Sequence, residues 1–381
     1  MKQRPNNAAF KFLALVLAYF FLASVNAGSQ VTPKDMTATE SLISSLNLRE
    51  SKDSSSTFNN WRPIKKVVIW GDSKIGNRFK ESFSGIEFVH GNDVHKTKEA
   101  LQGADAFIGY CIPQLFEDSF KVTWIHSMAV GVENCINSET VQKLAPTLSN
   151  AQRLSGPEIA EHAIGLMFSL VRRLDQYGIA QQNQHWDRGL APGDEKVWEI
   201  AGKTMLVVGL GGIGTETAKR AHGLGMKVIA TRNSSRTGPK FVDYVGLSDE
   251  LFTLAKQADI VVNTVPLTEK TTGLFGRQFF EAMKGSAYFI NIARGKSVVT
   301  EELLQALESG QLAGAGLDVT DPEPLPKEHP LWTQPRVIIT PHVAYRSEQL
   351  RERNILLAIE NLKRFIAGEP IYSVVDINRG Y

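Results

Sequence analysis

The sequence of 381 residues has few cysteines, almost no net charge and no evident internal repeat. Its 42 basic and 40 acidic residues nearly cancel, which gives no reason to expect a nucleic-acid partner. Cys111 and Cys135 are the only cysteines, too few for a disulfide framework or a structural zinc site, and we expect both to be buried small hydrophobic residues. Because no group of histidines has metal-ligand spacing, we predict no metal site.

The longest uncharged apolar run lies at the N-terminus. Three cations in residues 1–11 precede FLALVLAYFFLASV, and small or apolar residues stand at Val25 and Ala27. This order is typical of a secretory signal, so we expect residues 1–27 to be a cleavable signal peptide; the alternative is an uncleaved anchor over 12–25. The chain would then reach a periplasm, an endomembrane lumen or an organelle served by the secretory route, with no stable membrane partner after cleavage.

Residues 28–60 are polar and rich in serine, and we expect a linker there. From residue 65 onward, short apolar runs alternate with helical patterns. Near-continuous runs of this kind predict parallel strands whose sheets are covered by helices on both faces. The predicted strands are 65–70, 86–90, 105–110 and 122–127 and, after a long amphipathic stretch, 203–210, 227–231, 259–265, 287–292, 314–319 and 337–340.

The last helical pattern follows Ser347 and ends at Gly368, beyond the last predicted strand. The chain therefore returns to the first domain. We predict an α/β protein of two Rossmann-like, doubly wound parallel-sheet domains, in which a dinucleotide-binding domain (151–346) is inserted into a discontinuous, flavodoxin-like substrate domain (61–150 and 347–381). The cleft between two such domains would enclose a small substrate.

A glycine-rich loop, GLGGIG, joins a predicted strand to an amphipathic helix. Gly209 permits the tight turn, Gly211 lets the backbone approach a pyrophosphate, and Gly214 allows close helix–strand packing. Gly212 and Ile213 complete the loop at the helix N-terminus, which favours the phosphate charge. The motif predicts a dinucleotide site.

The acidic residue that usually holds the ribose hydroxyls of NAD is missing. Arg232, Asn233 and Ser234 follow the next strand instead. A carboxylate would repel a 2′-phosphate, whereas a guanidinium binds it with charge-assisted hydrogen bonds. We therefore expect NAD(P) as cofactor with NADP preferred; the alternative is a plain surface loop and NAD. Asn233 also begins the only N-x-S/T sequon, and we expect it to be unglycosylated in active enzyme because a glycan would block the cofactor.

Four further motifs, SMAVGVE, NIARG, LDVTDPEPLP and TPHVAYRS, come at or just after predicted strands. Together with DIVVNTVPLTEKTTGLF they resemble, in order and spacing, the D-isomer-specific 2-hydroxyacid dehydrogenase family. The resemblance covers 64–375 and implies an NAD(P)-dependent oxidoreductase that acts on D-2-hydroxy acids. We expect it to reduce a small 2-keto acid of the glyoxylate or hydroxypyruvate type with NADPH, and we also expect a homodimer. Two departures, Glu133 for the commoner aspartate and Tyr345 for a small residue, bear on substrate size and shape.

Three residues in these motifs suit the reduction of a 2-keto acid. His342 is the natural proton donor because imidazole titrates near neutrality. Glu323 could hydrogen-bond its other ring nitrogen and favour the protonated ring. Arg294 can bridge the carbonyl and the carboxylate through its planar fork. The resemblance implies these same catalytic roles.

The resemblance also implies binding contacts. Backbone N–H groups of Ala129, Val130 and Gly131 would bind the substrate carboxylate, beside Arg294 and His342. On the cofactor side it implies Val265 and Pro266, beside the nicotinamide ribose, with Ala293 and Asp318.

The sequence leaves alternatives open for the roles of three side chains and for the overall function. Asp318 would orient the nicotinamide amide or merely cap a strand, and Trp332 and Tyr345 would line the pocket or pack in the core. A non-catalytic NAD(P)-sensing scaffold is one alternative function, which the intact Arg294, Glu323 and His342 disfavour. Phosphite oxidation uses the same three residues and stays open, whereas formate dehydrogenases have glutamine at the position of Glu323.

Overall fold

The computed structural model describes residues 37–117, 121–190 and 197–377, so the predicted signal peptide lies outside the described residues. Residues 37–45 belong to a separate unit and form most of helix α1 (Ala38–Leu46). A capping box starts α1, because Glu40 N donates to Thr37 Oγ1 at 3.2 Å and Thr37 N donates to the Glu40 carboxylate at 2.7 Å. None of the described helices has the length and apolar character that a bilayer crossing requires.

The expectation of a linker over 28–60 is wrong for the residues that follow α1. Leu48 and Ser55 are buried, and Glu50 pairs with Tyr372 in an antiparallel bridge. The hydroxyl of Ser55 donates to the carbonyl of Phe365 at 3.3 Å. This segment folds in spite of its polar composition because its backbone and hydroxyl groups find partners in the C-terminal part of the chain.

The first sheet has five parallel strands in the order β2-β1-β3-β4-β5. The four predicted strands are present. The fifth, TLSN, escaped prediction because it is a short, half-polar edge strand. The strands are β1 (Lys66–Trp70), β2 (Glu87–Gly91), β3 (Ala106–Gly109), β4 (Trp124–Ser127) and β5 (Thr147–Asn150). The helices between them are α2 (Ser73–Ser82), α3 (Val94–Leu101), α4 (Glu133–Ile136) and α5 (Glu139–Leu144).

The second sheet has seven parallel strands in the order β12-β11-β10-β9-β6-β7-β8. All six predicted strands occur, and the short edge strand β8 adds a seventh. Its strands are β6 (Thr204–Val208), β7 (Lys227–Thr231), β8 (Tyr244–Gly246), β9 (Ile260–Asn263), β10 (Tyr288–Asn291), β11 (Gly314–Leu317) and β12 (Val337–Ile339). Its helices are α6 (Gly156–Val171), α7 (Leu174–Gln182), α8 (Gly212–Gly223), α9 (Leu251–Ala255), α10 (Arg277–Ala282) and α11 (Thr300–Glu308).

The last helix, α12 (Leu350–Ala367), packs on the first sheet. The ring of Phe365 stacks on Trp124 of β4 with centroids 5.3 Å apart. Ser347 Oγ accepts from Leu350 N at 3.1 Å at the start of the helix, and Gly368 ends it with a left-handed φ of 74°. The chain thus forms the five-stranded sheet first and the seven-stranded sheet second, and its last helix packs back on the five-stranded sheet.

The two cysteines do not remain separate thiols, which corrects the expectation for them. Cys111, just past β3, forms a disulfide with Cys135 of α4, and their Cα atoms are 5.1 Å apart. The pairing is possible because the end of β3 and the start of α4 lie side by side, within the usual Cα range for a disulfide. Sequence spacing alone carries no sign of this proximity, since 24 residues separate the two positions.

Candidate active site

The glycine-rich loop lies between β6 and α8, at the point where strand order reverses and ligands bind in folds of this kind. Gly209 has φ +99°, a conformation that favours glycine, and a Cβ on Gly214 would lie 2.1 Å from the Gly209 carbonyl oxygen. Gly211 is the N-cap of α8, and a Cβ built on it would meet nothing within 4 Å. This open space above the helix N-terminus fits the pyrophosphate of a dinucleotide.

The loop after β7 holds the three residues predicted to bind the ribose end of the cofactor. Arg232 N donates to Gly246 O at 3.0 Å, and Arg232 Nη1 donates to Thr237 O at 2.8 Å. Within the described part of the chain from Leu46 onward, no carboxylate lies within 4.0 Å of the Arg232 guanidinium. Asn233 and Ser234 are exposed beside it.

Arg236, the second arginine of that loop, is already paired. Its Nη1 lies 2.5 Å from Glu250 Oε1 and 3.0 Å from the hydroxyl of Tyr244. The hydrogen bond from the Tyr244 hydroxyl is the largest cause of a lowered pKa at Glu250, followed by the backbone of Leu247 and then by Arg236. Arg232 therefore differs from Arg236 in having its charge uncompensated.

Arg294 follows β10 and reaches across to the five-stranded domain. Its Nε donates to Glu133 Oε1 at 3.0 Å, and its Nη1 donates to Ala293 O at 2.8 Å. A Cβ built on Gly131 would lie 2.1 Å from Arg294 Nη2, so the guanidinium lies directly against this glycine. The predicted substrate loop and Arg294 are therefore in direct contact.

The backbone N–H groups of the substrate loop differ in availability. Ala129 N donates to Ser127 Oγ at 3.2 Å, while the side-chain amide of Asn150 donates to Val130 O at 2.7 Å. Val130 N and Gly131 N have no acceptor among the described residues of the larger unit. The loop can offer these two N–H groups, rather than all three, to a substrate carboxylate.

A buried polar network, which the sequence analysis missed, fixes the turns after β9 and β10. Asn263 Nδ2 donates to Asn291 Oδ1 at 3.0 Å and to Ser297 Oγ at 2.7 Å. Asn291 Nδ2 and Ser297 Oγ both donate to the Arg294 carbonyl, at 3.0 and 2.6 Å. The available signal was an asparagine at the end of each of two apolar runs, as in VVN and FIN.

The same network holds the residues predicted beside the nicotinamide ribose. Val265 N donates to Asn263 Oδ1 at 3.1 Å, and a Cβ on Gly209 would lie 3.1 Å from the Val265 side chain. The carbonyl of Pro266 accepts from Thr271 Oγ1 at 2.6 Å. Ala293 is buried, and its N–H also donates to Asn291 Oδ1 at 3.1 Å.

His342 lies in the turn after β12, with its ring nitrogen Nδ1 2.7 Å from Glu323 Oε1. This pairing was expected from the sequence, and it leaves Nε2 as the nitrogen available to a substrate. Tyr345 presents its ring to the His342 ring at nearly a right angle, with centroids 6.4 Å apart. Trp332 and Tyr345 are 49% and 43% exposed, so the alternative that they pack in the core is wrong.

Asp318, which follows β11, accepts hydrogen bonds from the backbone of the turn that contains His342. Its carboxylate accepts from Thr340 Oγ1 at 2.6 Å, from Val343 N at 3.0 Å and from Ala344 N at 3.0 Å. His342 N donates to the Asp318 carbonyl at 2.8 Å. Because Asp318 is only 2% exposed and both its oxygens are occupied, it acts here as the anchor of the His342 turn, a role beyond capping a strand.

Comparison with known proteins places this geometry in a family. Residues 164–344 match the family model described as D-isomer specific 2-hydroxyacid dehydrogenase, NAD binding domain. A glycerate dehydrogenase of Methylorubrum extorquens is 32% identical over 279 residues, which are 71% of this chain and 86% of the relative. A glyoxylate/hydroxypyruvate reductase A of Photorhabdus laumondii is 33% identical over 226 residues, or 59% of this chain and 69% of the relative.

A solved structure gives the same answer. The NADPH-dependent glyoxylate/hydroxypyruvate reductase of Sinorhizobium meliloti, in complex with NADP and sulfate, superposes with a TM-score of 0.71 at 26% identity and covers 83% of this chain and all of its own. The match includes both parallel sheets and thereby the predicted fold. The chain belongs to the D-isomer specific 2-hydroxyacid dehydrogenases and is an NAD(P)-dependent oxidoreductase.

Proposed function

We propose that this enzyme reduces a small 2-keto acid of the glyoxylate or hydroxypyruvate type, with NADPH as the preferred reductant. The observation that carries the proposal is the contact of Arg294 with the Gly131 loop, together with a hydrogen-bonded His342–Glu323 pair in the same domain as Arg294. A guanidinium next to two available N–H groups is suited to a compact anion that carries a neighbouring carbonyl.

Each part of the site has a separate role in the proposed reduction. Arg294 and the N–H groups of Val130 and Gly131 bind the carboxylate and polarise the C2 carbonyl. His342 Nε2 donates a proton to the carbonyl oxygen as C2 is reduced, and Glu323 at Nδ1 fixes the ring orientation and balances the charge. When bound, the reduced nicotinamide supplies the hydride to C2. The product is the 2-hydroxy acid, and His342 is left neutral.

The preference for NADPH rests on the loop after β7. Arg232 has no carboxylate partner among the described residues from Leu46 onward, and a charge-assisted hydrogen bond to a 2′-phosphate would satisfy it. Three solved relatives are described as NADP or NADPH complexes, which supports the same preference. Because a carboxylate at this position would repel the phosphate, replacing it with arginine both removes repulsion and adds attraction.

A panel of 2-keto acids with NADPH and with NADH, followed by nicotinamide absorbance, tests this proposal. We expect the highest kcat/KM with glyoxylate or hydroxypyruvate and NADPH. Activity restricted to bulky keto acids, or a preference for NADH, would contradict it. Phosphite with NADP+ belongs in the same panel, since its oxidation uses the same three side chains.

We further propose that the chain is exported after removal of residues 1–27. The Cys111–Cys135 disulfide supports this, because disulfides persist in oxidising compartments. Mass spectrometry of the mature protein should find Gly28 at the N-terminus; an intact N-terminus would favour an uncleaved anchor. A homodimer remains a proposal that light scattering on the purified enzyme can test.

A further inference from the structure

Arg153 lies in the segment that connects the five-stranded sheet to α6, where the chain crosses from one domain to the other. It has a left-handed φ of 73°, which turns the chain just before the helix. A Cβ built on Gly212 would lie 2.7 Å from Arg153 Cγ and 3.2 Å from Arg153 Cα. Arg153 therefore packs directly on the glycine-rich loop, and only a glycine at position 212 permits that approach.

The Arg153 guanidinium has little compensation from the protein. Its Nη1 makes one long hydrogen bond, 3.5 Å, to the carbonyl of Leu46. No carboxylate lies within 4.0 Å of it among the described residues from Leu46 onward. Glu216 attracts it from a greater distance, but that carboxylate is already paired with Arg220 at 2.5 Å.

The charges of two other arginines also act on the Arg153 guanidinium. Partial burial is the main cause of a lowered pKa at Arg153, and the charges of Arg49 and Arg232 lower it further. Like charges around the Arg153 guanidinium are unfavourable in the absence of an anion.

We infer that Arg153 binds the pyrophosphate of the dinucleotide. The inference rests on the cofactor use proposed above and extends it to a residue outside the glycine-rich motif. Arg153 lies over Gly212, at the helix N-terminus where a pyrophosphate is expected, whereas Arg232 lies at the end of the next strand, where the adenosine ribose is expected. Arg153 would thus contact the pyrophosphate, and Arg232 would contact the ribose end of the cofactor.

Dissociation constants for NADPH, NADH and ADP, measured by calorimetry on the full chain, test this assignment. ADP is the critical probe, because it has the pyrophosphate and lacks both the 2′-phosphate and the nicotinamide. We expect Arg153→Gln to raise all three constants by about tenfold or more, as for the loss of a charged hydrogen bond. Arg232→Gln should raise the constant for NADPH alone.

Two controls separate binding from folding. Arg172→Gln changes an exposed arginine at the opposite end of α6 and should leave all three constants unchanged. Arg153→Lys keeps the charge and should lose less affinity than Arg153→Gln. If Arg153→Gln unfolds the chain, the lysine variant still tests the assignment, because the lysine cannot reproduce the planar fork and should weaken ADP binding measurably.

The outcomes are distinct. Unchanged ADP binding in folded Arg153 variants would overturn the inference, as would a loss confined to NADPH, which would place Arg153 at the 2′-phosphate. If the wild type binds NADH as tightly as NADPH, the proposed cofactor preference fails, yet weaker ADP binding by Arg153→Gln would still support the pyrophosphate contact.

Discussion

The loops after β10, β11 and β12 differ from the loop after β7 in how they are held. Behind Arg294, buried amides and hydroxyls fix the backbone, and the Asp318 carboxylate does the same for the His342 turn. The loop after β7 is largely exposed, and among the described residues Arg232 hydrogen-bonds only the backbone carbonyls of Thr237 and Gly246. The proposed reaction thus depends on residues oriented in advance by a rigid scaffold, whereas the proposed cofactor choice depends on a half-buried charge outside that scaffold.

The largest effect is expected from a substitution at the proposed catalytic histidine. His342→Gln removes the proton donor, and we expect kcat with a 2-keto acid and NADPH to fall by about 10²–10⁴-fold. NADPH affinity should change little, since His342 faces the substrate. The control is His95→Gln, which changes a histidine whose side chain is 83% exposed on α3. Full turnover by His342→Gln would instead revive a non-catalytic role for the site.

The disulfide gives the next largest effect, on the five-stranded domain. The Cys111–Cys135 disulfide closes a loop between residues that are 24 positions apart. Loss of this bond should lower the free energy of unfolding by about 3 kcal/mol. Urea unfolding with and without reductant measures this. The reductant should destabilise the wild type and leave a Cys111→Ser, Cys135→Ser double variant unaffected; equal responses would mean that the bond does not form.

Asp318→Asn tests whether the His342 turn is anchored by the carboxylate. An amide puts a donor against Val343 N or Ala344 N, so we expect a loss of about 1–3 kcal/mol in the free energy of unfolding, with a lower kcat. Asp249→Asn, at an exposed position, is the matched control. A rise in cofactor KM without loss of stability would instead support the original expectation that Asp318 orients the nicotinamide.

The smallest effect concerns Glu133, the residue that replaces the commoner aspartate. Glu133→Ala leaves Arg294 Nε without its partner at 3.0 Å, so the fork loses orientation. We expect KM for the keto acid to rise by about threefold to tenfold with kcat less affected, since a half-exposed pair is worth about 1 kcal/mol. Glu139→Ala, whose side chain is 87% exposed, should change neither parameter.

Sequence periodicity and motif spacing predicted both sheets and the glycine-rich loop, because these depend on local pattern. The His342–Glu323 contact was predicted from the chemistry of the two side chains and from the family resemblance. The edge strands β5 and β8 escaped because, with four and three residues, they are too short to show a period. The Cys111–Cys135 bond and the Arg153–Gly212 contact escaped for another reason. Both join segments far apart in sequence, and only the packing of the folded chain brings them together.

The separation of catalysis from cofactor choice is tested most directly by Arg232→Gln. The measurement is kcat/KM for NADPH and for NADH with glyoxylate at saturation, in the wild type and the variant. We predict that the ratio of NADPH to NADH efficiency falls by about tenfold or more, with kcat unchanged, because only the 2′-phosphate loses a charged hydrogen bond. An unchanged ratio, or an equal loss with both cofactors, would contradict this account.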